Sequence, residues 1–203
     1  MYKKILLLVI LVVALQNLNA QFSKNHTIYA TTAANFGNYL GADLNLNYVY
    51  KEKYSVKLGY TPNIREADNT PADYTGGLTD LLFFEFFKPY DELHSFNLSV
   101  GRIYKLNKKG SIRLNLSAGI GVVHLKEPTN WQPVEDPDFL GNNYTYDFKE
   151  YNTFNFVFNP KIEFPFTRYY GVSLSPMVQI NKDRVYFGIG IGQMFGVLRS
   201  KKQ

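Results

Sequence analysis

The sequence predicts an all-β chain, folded as a closed antiparallel up-and-down transmembrane β-barrel of eight strands. Three observations predict it. Apolar and polar residues alternate with a period of two over segments of about 11–13 residues, roughly twice the usual length of a soluble strand. One face of each segment carries Leu, Ile, Val and Phe, while the other is crowded with Gly, Ser and Asn. Aromatic side chains, among them 16 Tyr and 16 Phe in 203 residues, gather beside tight turns. A soluble barrel would turn its apolar ladders inward and cover its outside with long polar side chains. A membrane barrel needs the opposite.

The chain opens on a signal peptide, residues 1–20, ahead of a single barrel domain, residues 21–203. Lys3 and Lys4 precede the apolar run 5–15, and Ala20 offers a small residue at the cleavage point. That order is the one read by the export machinery. The apolar run falls short of the roughly 20 residues that a spanning helix needs, so export is preferred to an uncleaved anchor. With no Cys, disulfides, thiolate zinc sites, cysteine nucleophiles and lipoprotein acylation are excluded. The net charge of +5 includes no basic block beyond Arg199, Lys201 and Lys202, so no nucleic-acid footprint is present.

Successive strand side chains point to opposite faces, which assigns the eight segments in order. Segment 26–36 is rich in small residues. In 39–50, Leu40, Leu44, Leu46 and Tyr48 oppose Asp43, Asn45, Asn47 and Val49; in 54–65, Val56 and Leu58 oppose Ser55 and Lys57. Segment 95–106 places Phe96, Leu98 and Val100 against Asn97 and Ser99, with Arg102 on the apolar face at the membrane boundary, where it can snorkel. Segment 111–124 alternates most cleanly, with Leu114, Leu116, Ala118 and Ile120 against Arg113, Asn115, Ser117 and Gly119. Segments 151–164, 169–181 and 184–197 repeat the pattern, the last with Gly188, Gly190 and Gly192 on its polar face.

The turns 51–53, 107–110 and 165–169 are short, as periplasmic turns are, and 66–94 and 125–150 are long, as external loops are. Both termini then lie on the periplasmic side. Tyr48, Tyr50 and Tyr54 flank the first of the short turns, and Phe164, Phe166, Tyr169 and Tyr170 the third, as an interfacial girdle would. Segment 78–88 (LTDLLFFEFFK) is placed in the first long loop as a short helix stopped by Pro89; a ten-stranded barrel is the alternative.

The signal peptide, the dyad strands and the Gly-rich last strand with Gly188, Ile189, Ile191 and Phe195 together resemble small outer-membrane β-barrel proteins of Gram-negative bacteria. The class is the eight-stranded OmpA/OmpX-like, porin-like one. The last strand departs from the pattern by continuing into the polar tail Arg199–Gln203. The resemblance implies a monomer in the cell outer membrane, in contact with outer-membrane lipid and inserted by the barrel-assembly machinery. It implies a structural, adhesive or small-solute role. A narrow porin is the alternative, and a lipid A-modifying barrel enzyme a further one.

Little chemistry is written in the side chains. Asp43, Lys57, Arg113, Lys161 and Glu163 all fall on the inward face, and a narrow interior should pair them into a charge network that plugs the lumen. His124 ends the fifth segment with no Ser within three residues; His26 and His94 sit at a chain start and in a loop. No nucleophile with its base is visible, so no enzyme, no cofactor and no metal site are expected. The loop Pro128–Pro133, followed by Glu135, Asp136 and Asp138, lacks calcium-loop spacing and reads as a solvated acidic loop with Trp131 packed on it.

Overall fold

A computed structural model describes residues 25–78, 88–137 and 141–199. The expected signal peptide, residues 1–20, and almost all of the expected loop helix, residues 79–87, lie outside the described residues. Nine strands follow in chain order: β1 (His26–Gly37), β2 (Leu40–Tyr50), β3 (Tyr54–Glu66), β4 (Tyr90–Lys105), β5 (Arg113–Pro133), β6 (Tyr144–Phe158), β7 (Lys161–Phe164), β8 (Tyr170–Asn181) and β9 (Val185–Gly196). Each pairs antiparallel with its neighbour, and β9 returns to pair with β1 from Tyr29↔Gly196 to Gly37↔Gly188, so the sheet is closed. β6 and β7 occupy one place in the ring, since both pair with β5 on one side and β8 on the other. The wall therefore has eight positions, as the alternation predicts.

The break between β6 and β7 falls at Asn159–Pro160. Proline cannot donate to a ladder, so the expected strand 151–164 is interrupted there. Asn159 N still donates to Ser117 O at 2.9 Å, and the wall stays continuous.

The faces are as the period-two reading requires. Ala30, Leu46, Leu58, Leu98, Ile120 and Phe156 stand side by side in register from β1 round to β6. From Leu46 to Phe156 each is at least half exposed. A soluble protein does not expose a contiguous apolar belt of that extent; in a bilayer it is the lipid-facing surface. Inward residues are buried. The inward glycines make the crowding possible: a Cβ at Gly121 would lie 2.2 Å from Asn97 Oδ1, and one at Gly188 would lie 2.5 Å from the Tyr186 hydroxyl. At the turn 51–53, Lys51 and Glu52 both have φ of 52°. Two left-handed central residues match the twist of a tight hairpin.

The first and last described residues, Asn25 and Arg199, and the turns 51–53, 106–112 and 165–169 share one end of the barrel, the termini end. The other, the loop end, differs from expectation. β4 starts at Tyr90 and not at 95, β5 runs to Pro133 and not to 124, and β6 starts at Tyr144 and not at 151. Most of the expected loop 125–150 is therefore strand, while the expected loop 66–94 loses only its ends to β3 and β4. The ladder Glu92↔Lys126↔Glu150 and Glu127↔Lys149 carries alternating charge. Opposite charges across strands support pairing, but with both faces polar they leave no period-two trace in the sequence.

Candidate functional site

The lumen is layered. At the loop end Tyr39, Leu93, Val123, Leu125, Val157, Met177 and Tyr186 form one apolar cluster. At the termini end Tyr29, Val49, Ile103, Met194 and Leu198 form another. Between them lies a polar zone that includes Asp43, Asn45, Lys57, Thr61, Asn155, Lys161, Glu163 and Gln179, all buried.

The structure brings the five predicted charges into this lumen but pairs only two of them. Arg113 Nε donates to Glu163 Oε2 at 2.7 Å, from directly paired positions of β5 and β7. Glu163 also accepts from Tyr29 Oη at 2.7 Å. Asp43 is held by neutral donors, Asn45 Nδ2 at 2.7 Å and Thr61 Oγ1 at 3.1 Å. Lys57 reaches across to Asn159 Oδ1 at 2.5 Å and Ser117 Oγ at 3.4 Å. Lys161 donates to Thr31 Oγ1 at 3.3 Å. The expected pairing of three cations with two anions is thus corrected. Among the described residues one ion pair forms in the lumen, and the lysines act as cross-braces from one wall to another.

Ion pairs span the loop-end mouth. Arg65 binds Asp91 at 2.8 Å and Asp68 at 2.6 Å, while Arg184 binds Glu127 at 2.6 Å and lies 3.7 Å from Asp91. The Arg65 guanidinium also sits 4.8 Å over the Tyr39 ring. These contacts link β3, β4 and β5 with the short turn before β9.

Beyond the mouth, β5 and β6 continue as a two-stranded ribbon. A bulge between Thr129 and Gln132, with Asn130 at φ 55°, sets the local direction of the chain. Trp131 packs against Tyr146 at 4.9 Å, Tyr144 at 6.3 Å and Tyr74 at 5.4 Å between ring centroids. Trp131 therefore packs on its own ribbon, and also on the other loop, which the sequence did not reveal. The two are pinned together. Asn143 Oδ1 accepts from Thr75 N and Asn143 Nδ2 donates to Asp73 O, both at 2.7 Å. Asn69 Nδ2 donates to Pro128 O at 2.7 Å. Tyr144 Oη donates to Asp73 Oδ1 at 2.9 Å, and that bond holds the exposed phenol above its ordinary pKa.

The three histidines form no single cluster. His94 and His124 are cross-strand partners on the outward face, just above the apolar belt. His94 meets Tyr60 Oη at 2.8 Å and Glu92 at 3.0 Å; His124 meets Asn152 at 3.2 Å. His26 is at the far end, 2.7 Å from Tyr48 Oη. His124 stands within β5 and does not end it, since the strand continues to Pro133.

Sequence reading missed Leu198, which lies past the last strand and is fully buried in the termini-end cluster. Its N donates to Arg168 O and its O accepts from Arg113 Nη1, at 2.8 and 2.7 Å. The one sequence signal was an apolar Val197-Leu198 pair ahead of a polar tail.

No protein-family model and no curated protein matches the chain. Among solved structures, a major outer membrane protein from Thermus thermophilus is similar in fold, with TM-score 0.60, 11% identity, and 84% of this chain and 99% of that one covered. Ail, the attachment invasion locus protein of Yersinia pestis, aligns with TM-score 0.48 and 10% identity over 85% of this chain and 98% of its own. Neisserial surface protein A aligns with TM-score 0.45 and 8% identity over 84% and 94%. At these identities the likeness is one of fold. The fold is that of small outer-membrane β-barrels.

Proposed function

We propose that this chain is an outer-membrane barrel that conducts nothing and serves to hold a stiff recognition ribbon outside the cell. The observation that carries this reading is the continuation of β5 and β6 past the apolar belt, pinned to the neighbouring loop through Asn143, Asp73 and Trp131. A loop meant only to connect two strands needs no such bracing. The lumen supports the same reading, with an apolar cluster toward each end and ion pairs across the loop-end mouth. An eight-stranded wall leaves space only for side chains. The leader-like residues 1–20 and the outer-membrane origin of the fold neighbours support the location.

The protein acts as a monomer, surrounded by outer-membrane lipid after insertion by the barrel-assembly machinery. We assign it no reaction, because His94 and His124 are engaged by a phenol, carboxylates and an amide, with no nucleophile in hydrogen-bond reach among the described residues. The test combines display and adhesion. An epitope inserted after Gly141 should be labelled on intact cells. Cells carrying a ribbon shortened across residues 127–149 should keep a heat-modifiable barrel but bind a host-cell or abiotic surface less than wild type. Equal binding by both strains would overturn the recognition role.

A further inference from the structure

The termini end carries a feature that anchoring does not use. The turns 51–53, 106–112 and 165–169 and the tail 197–199 surround a bowl of about 490 Å³, a volume in the range of small-ligand sites. Six cationic side chains line it: Lys105, Lys108, Lys109, Arg113, Arg168 and Arg199. The one acidic side chain in the lining, Glu52, already binds Lys105 at 2.5 Å. Among the described residues, no ion pair joins Lys108, Lys109, Arg168 or Arg199 to a carboxylate. The loop-end mouth is different, with its arginines answered by Asp68, Asp91 and Glu127.

Three arginine donors at the bowl are also unsatisfied. Arg113, with a side chain only 3% exposed, spends Nε on Glu163 and Nη1 on Leu198 O, and its buried Nη2 has no partner. Arg168 Nε and Arg199 Nε are likewise buried without partners, while Arg199 Nη2 donates to Pro165 O. Burial, and after it the neighbouring Arg113 guanidinium, pushes the Arg199 guanidinium below its ordinary pKa, against the pull of Glu52. Buried donors without acceptors cost free energy, and charged ones cost the most. A single carboxylate would answer only one of these cations. A phosphate group carries up to two charges and several acceptor oxygens, and it matches the guanidinium fork in two-pronged geometry.

We propose that this bowl is a binding site for a phosphate-bearing anion, gripped by Arg168, Arg199, Lys108 and Lys109 above Arg113. The ligand is either a soluble phosphate compound or the headgroup of a phospholipid in the adjoining leaflet. Calorimetric titration of the full-length protein in neutral detergent, at constant ionic strength set with NaCl, tests it in two arms. One arm uses pyrophosphate and the other short-chain phosphatidylglycerol. We expect saturable binding in at least one arm, weakened about tenfold or more by Arg168→Ala and by the Lys108→Ala/Lys109→Ala pair. Lys126→Ala, at the opposite end, should leave it unchanged. Each variant is first checked for the wild-type heat-dependent gel shift, and Lys108→Gln/Lys109→Gln stands in for any that lacks it. The arm that binds more tightly identifies the source of the phosphate. Absence of saturable binding by the wild type in both arms overturns the proposal, and so does an equal loss in Lys126→Ala.

Discussion

Arg113 and Glu163 illustrate what a single residue does inside a narrow wall. Glu163 has no exposure at all, so removing its cationic partner strands a buried carboxylate with Tyr29 and Asn115 as its remaining donors. Arg113→Ala is expected to lower the unfolding free energy by about 3–5 kcal/mol, measured by urea titration in lipid vesicles. A loss below about 1 kcal/mol would mean that water replaces the guanidinium. On the outer face, depth decides the cost. Leu98 pairs with Leu58 and Ile120 in the middle of the apolar belt, whereas Leu116 pairs with Arg102 at the girdle. Leu98→Arg should cost about 2–4 kcal/mol of insertion and Leu116→Arg about 0–1; equal costs would misplace the belt. Alternation alone places all five lumen charges on the correct face. It cannot say which ones meet, because that depends on the stagger between strands far apart in the chain. Lys57 and Asn159, 102 residues apart, are neighbours only after the wall has closed.

At the level of elements, the eight wall positions were legible because a membrane imposes one rule on every strand along the belt. The ribbon was not. From Lys126 to Pro133 both faces carry polar side chains, among them Lys126, Glu127, Thr129 and Gln132, so strand and loop look alike, and the pairing comes from cross-strand charge and from Trp131. Protease added to intact cells is therefore expected to cut at the ribbon tip, 134–143, and to spare both the paired flanks and the turns 51–53 and 107–110. Cleavage at those turns would reverse the orientation of the barrel. The tail after β9 is the other element hidden from period-two reading, since a single inward leucine has no period. Leu198 is fully buried among Tyr29, Val49, Ile103 and Met194. Leu198→Ala should destabilise the barrel by about 2–5 kcal/mol in the same vesicle assay, while a surface change such as Lys108→Ala should leave the midpoint in place.

The wall is lined along its axis by buried side chains, and conduction is the property that tests whether they fill the lumen. Purified protein in planar bilayers should show no steady current, and a stable open level would contradict the filled lumen. Tail and ring are also coupled. Val197 N donates to Ile28 O on β1, while Leu198 N donates to Arg168 O before β8. The tail thus clasps both flanks of the seam where β1 meets β9. It can seat Leu198 only after the first and last strands have met, so it serves as a latch that reports completion of the circle. A barrel that sprang open at that seam would lose latch and stopper together, and breach and flooding would be a single event.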